Sequence, residues 1–370
     1  MANPLQKLGE FGQSVWYDNI SRAVLQSGVL AQLVSAGEVR GVTSNPTIFE
    51  KAIGGSADYD GDIRSERALG KDTKGVYEAL AIRDIRAGAD LLRPVYDTSG
   101  GADGFISMEV SPELAHDAEG TVAEARRLHA AIDRPNLMIK VPATPEGCQA
   151  IEELIGAGVS VNVTLMFSHT HYEHVVAAYL RGLEKAAGQG LDLSRIRSVA
   201  SVFVSRIDSL VDKRLQGMGA ERSLFGKAAI ANTQLVYARF GELFSGPRWA
   251  KLAAKGAAVQ RPLWASTSTK NPLYRDVMYV EQLIGPDTVN TMPPQTIDAF
   301  RDHGEVARTV DTDLAGASAL IGRLSEIGVD MEEVGAQLQD DGVAAFADSF
   351  HTLLAGLDSK VRTLEGAARS

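Results

Sequence analysis

Leu137-Met138-Ile139-Lys140-Val141-Pro142 places one lysine inside an apolar run that is otherwise typical of a fully buried parallel strand. A lysine is rarely buried unless its ammonium is paired or has lost its proton, because removing that charge from water is costly. One interpretation is structural, with the stem along the core and the charged end in solvent. The other is chemical, because a neutral amine is a nucleophile. The rest of the chain favours the second.

Short apolar runs recur on both sides of this segment, and eight are predicted to be strands: 15–17, 39–43, 104–110, 137–141, 159–165, 198–204, 261–265 and 288–292. Amphipathic helical stretches separate most of them, for example at 71–92, 120–132, 147–157, 169–187 and 224–243. Such alternation implies an α/β fold with a parallel sheet, and eight units predict a closed (β/α)8 or TIM barrel. A doubly wound open sheet is the alternative, but no G-x-G-x-x-G follows the first strand.

The chain has 370 residues, more than the roughly 250 that a (β/α)8 core requires. We expect the surplus to form additional helices in loops, at 50–71 and between strands six and seven, and a helical C-terminal extension from about residue 306. No change in composition interrupts the alternation. The prediction is therefore a single barrel domain over residues 1–370.

Composition narrows the class of protein. The net charge is −10 and no basic stripe is present, which argues against nucleic-acid binding and against anionic membrane surfaces. No apolar run is long enough for a membrane span. The single cysteine, Cys148, excludes an internal disulfide, and its helical context without a nearby histidine favours a structural role. With no signal-peptide pattern at the N-terminus, we expect a cytoplasmic protein.

Polar residues end the predicted strands, where a barrel carries its catalytic groups. Each has an ordinary structural interpretation, such as helix capping by Asp18 or a turn at Asn45. Together they would place an amine, two carboxylates, two amides and several hydroxyls at one barrel mouth: Asp18, Asn45, Glu109, Lys140, Asn162, Thr164, Ser201, Arg206 and Ser266.

This set of residue types suggests carbonyl chemistry. A buried lysine can form a Schiff base that accepts electrons when a neighbouring C–C bond breaks. Keeping its amine neutral at pH 7 costs roughly 4.6 kcal/mol from a pKa near 10.4, which desolvation can supply. One carboxylate must move protons while water is lost, and a second must handle the hydroxyl proton at the bond that breaks. Glu109 and Asp18 suit these two tasks.

Two motifs carry a family resemblance. Gly41-Val42-Thr43-Ser44-Asn45-Pro46-Thr47-Ile48-Phe49 resembles the strand-two signature of transaldolases. The segment from Leu137 to Gly147, with Val161-Asn162-Val163-Thr164-Leu165-Met166-Phe167-Ser168, resembles their active-site signature. The similarity continues to Asp302-His303-Gly304 after the last predicted strand. It implies a class I aldolase-like barrel of the long bacterial type that moves a dihydroxyacetone unit from a ketose phosphate to an aldose phosphate.

The resemblance also implies roles for individual residues. Lys140 corresponds to the Schiff-base lysine and Asp18 to the base at the cleaved hydroxyl. Glu109 corresponds to a carboxylate that acts through a water molecule, which Thr164 also binds. The implied substrate contacts are Asn45 and Asn162 for the dihydroxyacetone hydroxyls, Ser201 for the substrate, and Arg206 and Ser266 for phosphate.

The chain departs from the family pattern at the phosphate site. Transaldolases often have Ser-x-Arg after strand seven, whereas this chain has Ser266-Thr267-Ser268-Thr269-Lys270. The second phosphate cation is therefore missing or is Lys270. A planar guanidinium, such as that of Arg206, suits bidentate phosphate binding.

Three functions remain open from sequence. The first is a transaldolase, exchanging dihydroxyacetone between sedoheptulose 7-phosphate and glyceraldehyde 3-phosphate in the non-oxidative pentose phosphate pathway. The second is a fructose 6-phosphate aldolase-type lyase, which releases dihydroxyacetone; those related aldolases carry a tyrosine where this chain has Phe203, which favours transfer. The third is an inactive sugar-phosphate-binding barrel, against which the complete set of Lys140, Glu109 and Asp18 argues.

No metal or organic cofactor is implied, and the expected partners are sugar-phosphate substrates. Two segments imitate metal sites. His171 and His174 share a helix face but lack further zinc ligands, and the acidic segment 58–62 lacks the glycine and glutamate of a calcium loop. The sequence leaves open whether the protein is a monomer or a homodimer.

Overall fold

The computed structural model describes residues 3–367. Its strands are β1 (Gln13–Tyr17), β2 (Gly41–Val42), β3 (Ile106–Glu109), β4 (Leu137–Pro142), β5 (Val161–Met166), β6 (Ser198–Phe203), β7 (Arg261–Ala265) and β8 (Thr288–Met292). Neighbouring strands pair in parallel in chain order, and β8 pairs with β1, so the sheet closes into a barrel. The predicted (β/α)8 barrel is confirmed.

Sixteen α-helices are present within the described residues. They are α1 (Pro4–Leu8), α2 (Arg22–Gln26), α3 (Val29–Ser35), α4 (Pro46–Gly54), α5 (Asp60–Ala68), α6 (Thr73–Thr98), α7 (Ala118–Ile132), α8 (Pro145–Gly156), α9 (His169–Gly188), α10 (Ser205–Met218), α11 (Ala228–Leu243), α12 (Pro247–Ala253), α13 (Met278–Glu281), α14 (Pro294–His303), α15 (Leu314–Glu326) and α16 (Met331–Ala367). None of these helices is long and apolar enough to cross a membrane.

The second strand is shorter than its prediction of residues 39–43. Only Gly41 and Val42 take part in the β1–β2 ladder, opposite Trp16 and Tyr17. The indole of Trp16 lies against the Gly41 backbone, so that a Cβ at this position would meet the ring at 2.5 Å. A glycine is therefore required for this close approach. Thr43 follows as the first residue of the loop that carries the strand-two signature.

The ladder places the candidate catalytic residues at one level of the barrel. Glu109 is the direct partner of Lys140 between β3 and β4, and Lys140 is the direct partner of Asn162 between β4 and β5. Side chains at matched positions of neighbouring parallel strands point to the same face of the sheet. Lys140 points to the inside of the barrel, because it lines a cavity at the barrel mouth.

An irregularity in β5 lies next to these residues. The β5–β6 register shifts between Val163 and Met166, and Leu165 has a φ of +59°. A leucine with positive φ is strained, so the surrounding structure must stabilise it. Bulges next to active sites redirect side chains, and this one follows Thr164 immediately.

The last helix, α16, runs along the C-terminal end of the barrel. The Thr47 hydroxyl on α4 donates to Ser349 Oγ at 2.8 Å, and Lys360 pairs with Asp60 on α5 at 2.8 Å. The helical region expected after about residue 306 is present as α15 and α16. Its placement makes α16 part of the barrel mouth.

Candidate active site

A cavity of about 580 Å³ opens at the C-terminal end of the barrel, where the loops after the strands meet α16. Nine of the eleven residues selected from the sequence line it: Asp18, Asn45, Lys140, Thr164, Ser201, Phe203, Arg206, Ser266 and Lys270. Glu109 and Asn162 are outside the lining but hydrogen-bond to residues that form it. This end of a (β/α)8 barrel is where catalytic groups are found.

Lys140 projects from β4 into the cavity, and only 6% of its side chain is exposed. Its Nζ donates to Glu109 Oε2 at 3.2 Å and to the carbonyl oxygen of Ser44 at 3.1 Å. The ring of Phe346 on α16 covers another side, with its centroid 5.7 Å from Nζ. Two acceptors and one apolar face therefore fix the position of the amine and shield it from solvent.

The Glu109 carboxylate reaches Lys140 from β3, and 7% of its side chain is exposed. Burial raises the pKa of this carboxyl above its ordinary value; the Lys140 ammonium opposes the shift and the Asp18 carboxylate adds to it. A carboxyl whose pKa lies nearer neutrality can both accept and return a proton around pH 7. Proton transfer during formation of a Schiff base requires both.

Asp18 follows β1, and one threonine hydroxyl, itself held by a second, orients its carboxylate. Thr43 Oγ1 donates to Asp18 Oδ1 at 2.7 Å and lies 2.6 Å from the Thr291 hydroxyl on β8. Burial raises the pKa of Asp18, while the hydrogen bond from Thr43 and the charges of Lys140 and Lys270 act in the opposite direction. The helix cap considered for Asp18 is instead Ser21, whose side chain accepts from the backbone at the start of α2. Asp18 is thus left to face the cavity.

Thr164 and Ser201 form the wall of the cavity on β5 and β6. The Thr164 hydroxyl is buried and has no hydrogen-bond partner among residues 3–367. A buried hydroxyl without a partner costs free energy, so this group is available to a water molecule or a ligand. Ser201 Oγ donates to Asn162 Oδ1 at 2.7 Å, and Asn162 Nδ2 donates to Ser107 Oγ at 2.9 Å. Asn162 is fully buried, and its direct contact with a substrate hydroxyl stays a prediction.

Asn45, for which the sequence suggested a turn or a substrate contact, is the N-cap of α4. Its Oδ1 accepts the backbone N–H of Ile48 at 2.9 Å, which caps α4. The capping bond uses the amide oxygen, so the Nδ2 donor is available to a ligand in the cavity that Asn45 lines. Phe203 contributes a purely apolar wall, and its ring packs on that of Phe167 at 5.3 Å between centroids.

Arg206 lies at the start of α10 and lines the cavity. Burial lowers its pKa, and no carboxylate in the described part of the chain offsets this effect. The guanidinium carbon instead lies 5.3 Å from the Phe203 ring centroid and 6.0 Å from that of Phe346. Nearby Ser266 has a φ of +56°, and its hydroxyl lies 2.9 Å from Ser205 Oγ. A half-buried arginine without a carboxylate partner is suited to binding an anion.

Two lysines stand near this guanidinium. Lys270 Nζ donates to Ser268 Oγ at 2.8 Å, and Lys51 on α4 lines the same cavity. Burial and the charges of Arg206 and Lys51 lower the pKa of Lys270, although the Asp18 carboxylate opposes them. Three cations thus share one end of a cavity in a chain whose net charge is −10. The local basic site that a phosphorylated ligand would need is present.

Sequence reasoning missed Lys51 and Phe346, which also line the cavity. Lys51 lies six residues after Asn45, a spacing that does not repeat one face of a helix, so the helix period offered no signal. Phe346 offered none either, because α16 is distant in sequence from every motif. Within residues 3–367 the structure contains no cluster of three or more histidine, cysteine, aspartate or glutamate side chains arranged to hold a metal ion.

The fold and the site are those of a (β/α)8-barrel enzyme with a buried lysine and two carboxylates at the strand ends. The sequence matches the transaldolase/fructose-6-phosphate aldolase family over residues 15–357, so the chain belongs to that family. It is 50% identical to Transaldolase 1 of Streptomyces coelicolor, over 97% of this chain and 96% of the relative. It is also 50% identical to a transaldolase of Frankia alni, over 96% of each chain, and 46% identical to Transaldolase 2 of Nostoc punctiforme, over 98% of each. The transaldolase that its motifs predicted is confirmed.

Proposed function

We propose that this enzyme transfers a dihydroxyacetone unit from sedoheptulose 7-phosphate to glyceraldehyde 3-phosphate through a Schiff base on Lys140. The products are erythrose 4-phosphate and fructose 6-phosphate. The main support for this proposal is the position of Lys140 Nζ, which lies 3.2 Å from the Glu109 carboxylate in a cavity that Arg206 also lines. An amine nucleophile and an anion-binding group in one cavity suit a substrate that has both a carbonyl and a phosphate.

Lys140 and Glu109 carry out the first half of the reaction. Glu109 accepts a proton from the ammonium, and the free amine adds to the ketone carbon C2 of the donor. The carbinolamine loses its hydroxyl as water, with Glu109 returning a proton through a water molecule that the Thr164 hydroxyl orients. The raised pKa of Glu109 supports this assignment, because the carboxyl must hold the proton between the two transfers.

Asp18 acts at the bond that breaks. Its carboxylate removes the proton of the C4 hydroxyl, the C3–C4 bond breaks, and the electron pair moves toward the imine nitrogen on Lys140. The aldose leaves, and the three-carbon carbanion remains bound until an acceptor aldehyde arrives. Asp18 then returns its proton to the new alkoxide. The hydrogen bond from Thr43 supports this role, since it orients the carboxylate without neutralising it.

The remaining residues bind the sugar phosphate. Arg206 and Lys270, with the Ser266 hydroxyl, bind the phosphate. Asn45 and Ser201 contact hydroxyls of the dihydroxyacetone unit, and Asn162 orients Ser201 through the 2.7 Å hydrogen bond between them.

The alternative is a lyase that releases dihydroxyacetone to water. Phe203 argues against it, because a phenyl ring has no hydroxyl that could assist protonation of the bound carbanion. The identity of about half with relatives named transaldolases supports transfer as well.

The test is reduction with borohydride in the presence of fructose 6-phosphate, followed by peptide mass mapping. We expect a dihydroxyacetone adduct on Lys140, and none in the Lys140→Met variant, which retains the apolar stem. The Glu109→Gln variant should form the adduct more slowly. An adduct on another lysine, or turnover by Lys140→Met above a few per cent of wild type, would overturn the assignment. Binding of fructose 6-phosphate without any adduct would indicate an inactive sugar-phosphate binder.

A further inference from the structure

One face of α16 is directed at the active site. Gln339, Gly342 and Phe346 follow the i, i+3, i+7 spacing of one helical face. Gln339 Nε2 donates to the carbonyl oxygens of Ala143 and Leu165, both at 3.0 Å. These carbonyls follow the Lys140 strand and the Thr164 position respectively. The helix is therefore tied to the ends of both strands that carry the amine and the unpartnered hydroxyl.

Gly342 lets the helix approach closely. A Cβ at this position would lie 2.9 Å from Leu165 Cδ2 and 3.6 Å from Arg206 Nη1. The neighbouring Leu165 is the residue with positive φ in the β5 bulge. The contact brings the next turn of α16, with Phe346, over the cavity.

Phe346 is 94% buried and lines the cavity between Lys140 and Arg206. Its ring centroid lies 5.7 Å from Lys140 Nζ and 6.0 Å from Arg206 Cζ. An apolar ring at this distance excludes water from one side of the amine. Any imine formed on Lys140 would carry the same cover.

Water at this place decides between two fates of the bound dihydroxyacetone carbanion. In transfer, the carbanion carbon forms a bond to the aldehyde carbon of the acceptor. In release, the same carbon takes a proton, water adds to the C=N carbon, and the C–N bond breaks to give dihydroxyacetone and the Lys140 amine. Both fates end with hydrolysis of an imine on Lys140, so they diverge at the carbanion. Release needs water close enough to protonate this carbon, with the hydroxide that remains adding to the C=N carbon, whereas transfer needs water only after the new C–C bond has formed.

We infer that Phe346 determines specificity for transfer over release, by keeping water away from the carbanion bound to Lys140, and that Gln339 is the positioning residue that holds its helix in place. This inference rests on the proposed function of Lys140. It assigns a task to the C-terminal helix, which contributes none of the residues taken from the family motifs.

The test compares the ratio of release to transfer in Phe346→Ser and Phe346→Leu. Release is glyceraldehyde 3-phosphate formed from fructose 6-phosphate alone, and transfer is its formation with erythrose 4-phosphate present. We expect the ratio to rise roughly tenfold in Phe346→Ser, which admits water, and to stay within about threefold of wild type in Phe346→Leu, which keeps an apolar cover. Gln339→Leu should shift the ratio in the direction of Phe346→Ser, and Gln339→Glu, which keeps an acceptor but loses the donor, should do the same.

Phe350→Leu is the matched control, because this residue lies about one turn further along α16 and packs on Tyr77 at 5.6 Å between ring centroids. It should lower the melting temperature without changing the ratio. If Phe346→Ser does not fold, Phe346→Gln fills most of the volume with a polar side chain and carries the same expectation. An unchanged ratio in the polar variant, or an equal rise in Phe346→Leu and Phe346→Ser, would overturn the inference. The borohydride adduct on Lys140 separates this outcome from failure of the proposed function, since the adduct would still form.

Discussion

Replacing Arg206 by methionine removes the guanidinium from the cavity but keeps most of its apolar stem. If Arg206 binds the substrate phosphate through two charge-assisted hydrogen bonds, each contributes about 1.5–3 kcal/mol. Taking the low end of both, because Lys270 remains nearby, the loss of transition-state binding is about 3 kcal/mol. This corresponds to a fall in kcat/KM of roughly 10²-fold.

The free energy of unfolding should change much less than it does when an ordinary, ion-paired buried arginine is replaced. Arg206 has no carboxylate partner among residues 3–367 to lose, so the free energy of unfolding of Arg206→Met should stay within about 1 kcal/mol of wild type. Arg22 is the matched control, because it pairs with Asp62 at 2.6 Å and with Asp84 at 2.7 Å. Arg22→Met leaves two carboxylates with a lost partner and should destabilise by about 3–5 kcal/mol, with kcat/KM little changed.

The assay combines kcat/KM for fructose 6-phosphate with urea unfolding of both variants. A second substrate, unphosphorylated fructose, removes the group that Arg206 is proposed to bind. With it, Arg206→Met and wild type should have similar kcat/KM. The reasoning is refuted if the variant loses as much activity toward fructose as toward fructose 6-phosphate, or if it unfolds as readily as Arg22→Met.

Three further expectations concern single side chains. Thr164→Val should lower kcat by roughly tenfold without loss of stability in thermal unfolding, because the hydroxyl has no hydrogen-bond partner among the described residues to lose. A clear loss of stability would indicate a structural hydroxyl. Asp18 must be ionised to act as a base, and burial raises its pKa. The acid limb of the pH profile of kcat should therefore lie at a higher pH than the ordinary pKa range of an aspartate. A similar limb in the residual activity of Asp18→Asn would contradict the assignment. Burial raises the pKa of Asp208 to about 7, so its contribution to stability is present below about pH 4 and is lost as pH rises to about 7, a change of about 4 kcal/mol. Asp208→Asn should lack this part of the pH dependence in urea titrations, and an unchanged dependence would place the titration elsewhere.

The barrel could be predicted because each of its strands carries a local signal. Apolar runs separated by amphipathic helices give the order of the elements, and parallel pairing follows from the length of each crossover. The first and last residues of the helices and strands were harder to predict. The helix predicted to end at residue 92 continues to Thr98 through Pro94, and Tyr96, beyond the proline, packs on Phe105 at 5.3 Å between ring centroids. This contact offsets part of the local cost of a proline.

The candidate residues could be selected from the sequence because a barrel carries its catalytic groups at the strand ends, and the strands could be predicted. The surroundings of each candidate residue could not be predicted. Nothing in the sequence distinguishes the surroundings of Arg22 from those of Arg206. Only the folded chain places Arg22 between two carboxylates and Arg206 against two phenyl rings. Whether an arginine lacks an ion-pair partner depends on all the residues that surround it, and most of those residues are remote in sequence.

The bulge at Leu165 illustrates the same limit at the level of the backbone. A positive φ at leucine is unfavourable in isolation, so nothing in the local sequence predicts it. Here the backbone carbonyl of Leu165 accepts a hydrogen bond from the side chain of Gln339, which lies 174 residues further along the chain and stabilises this conformation. The geometry of the cavity wall beside Thr164 is therefore set partly by a helix whose sequence resembles any amphipathic surface helix. For this reason the C-terminal helix should be considered part of the active site of this enzyme, and truncation at residue 330 is expected to abolish activity even if the eight strands remain paired.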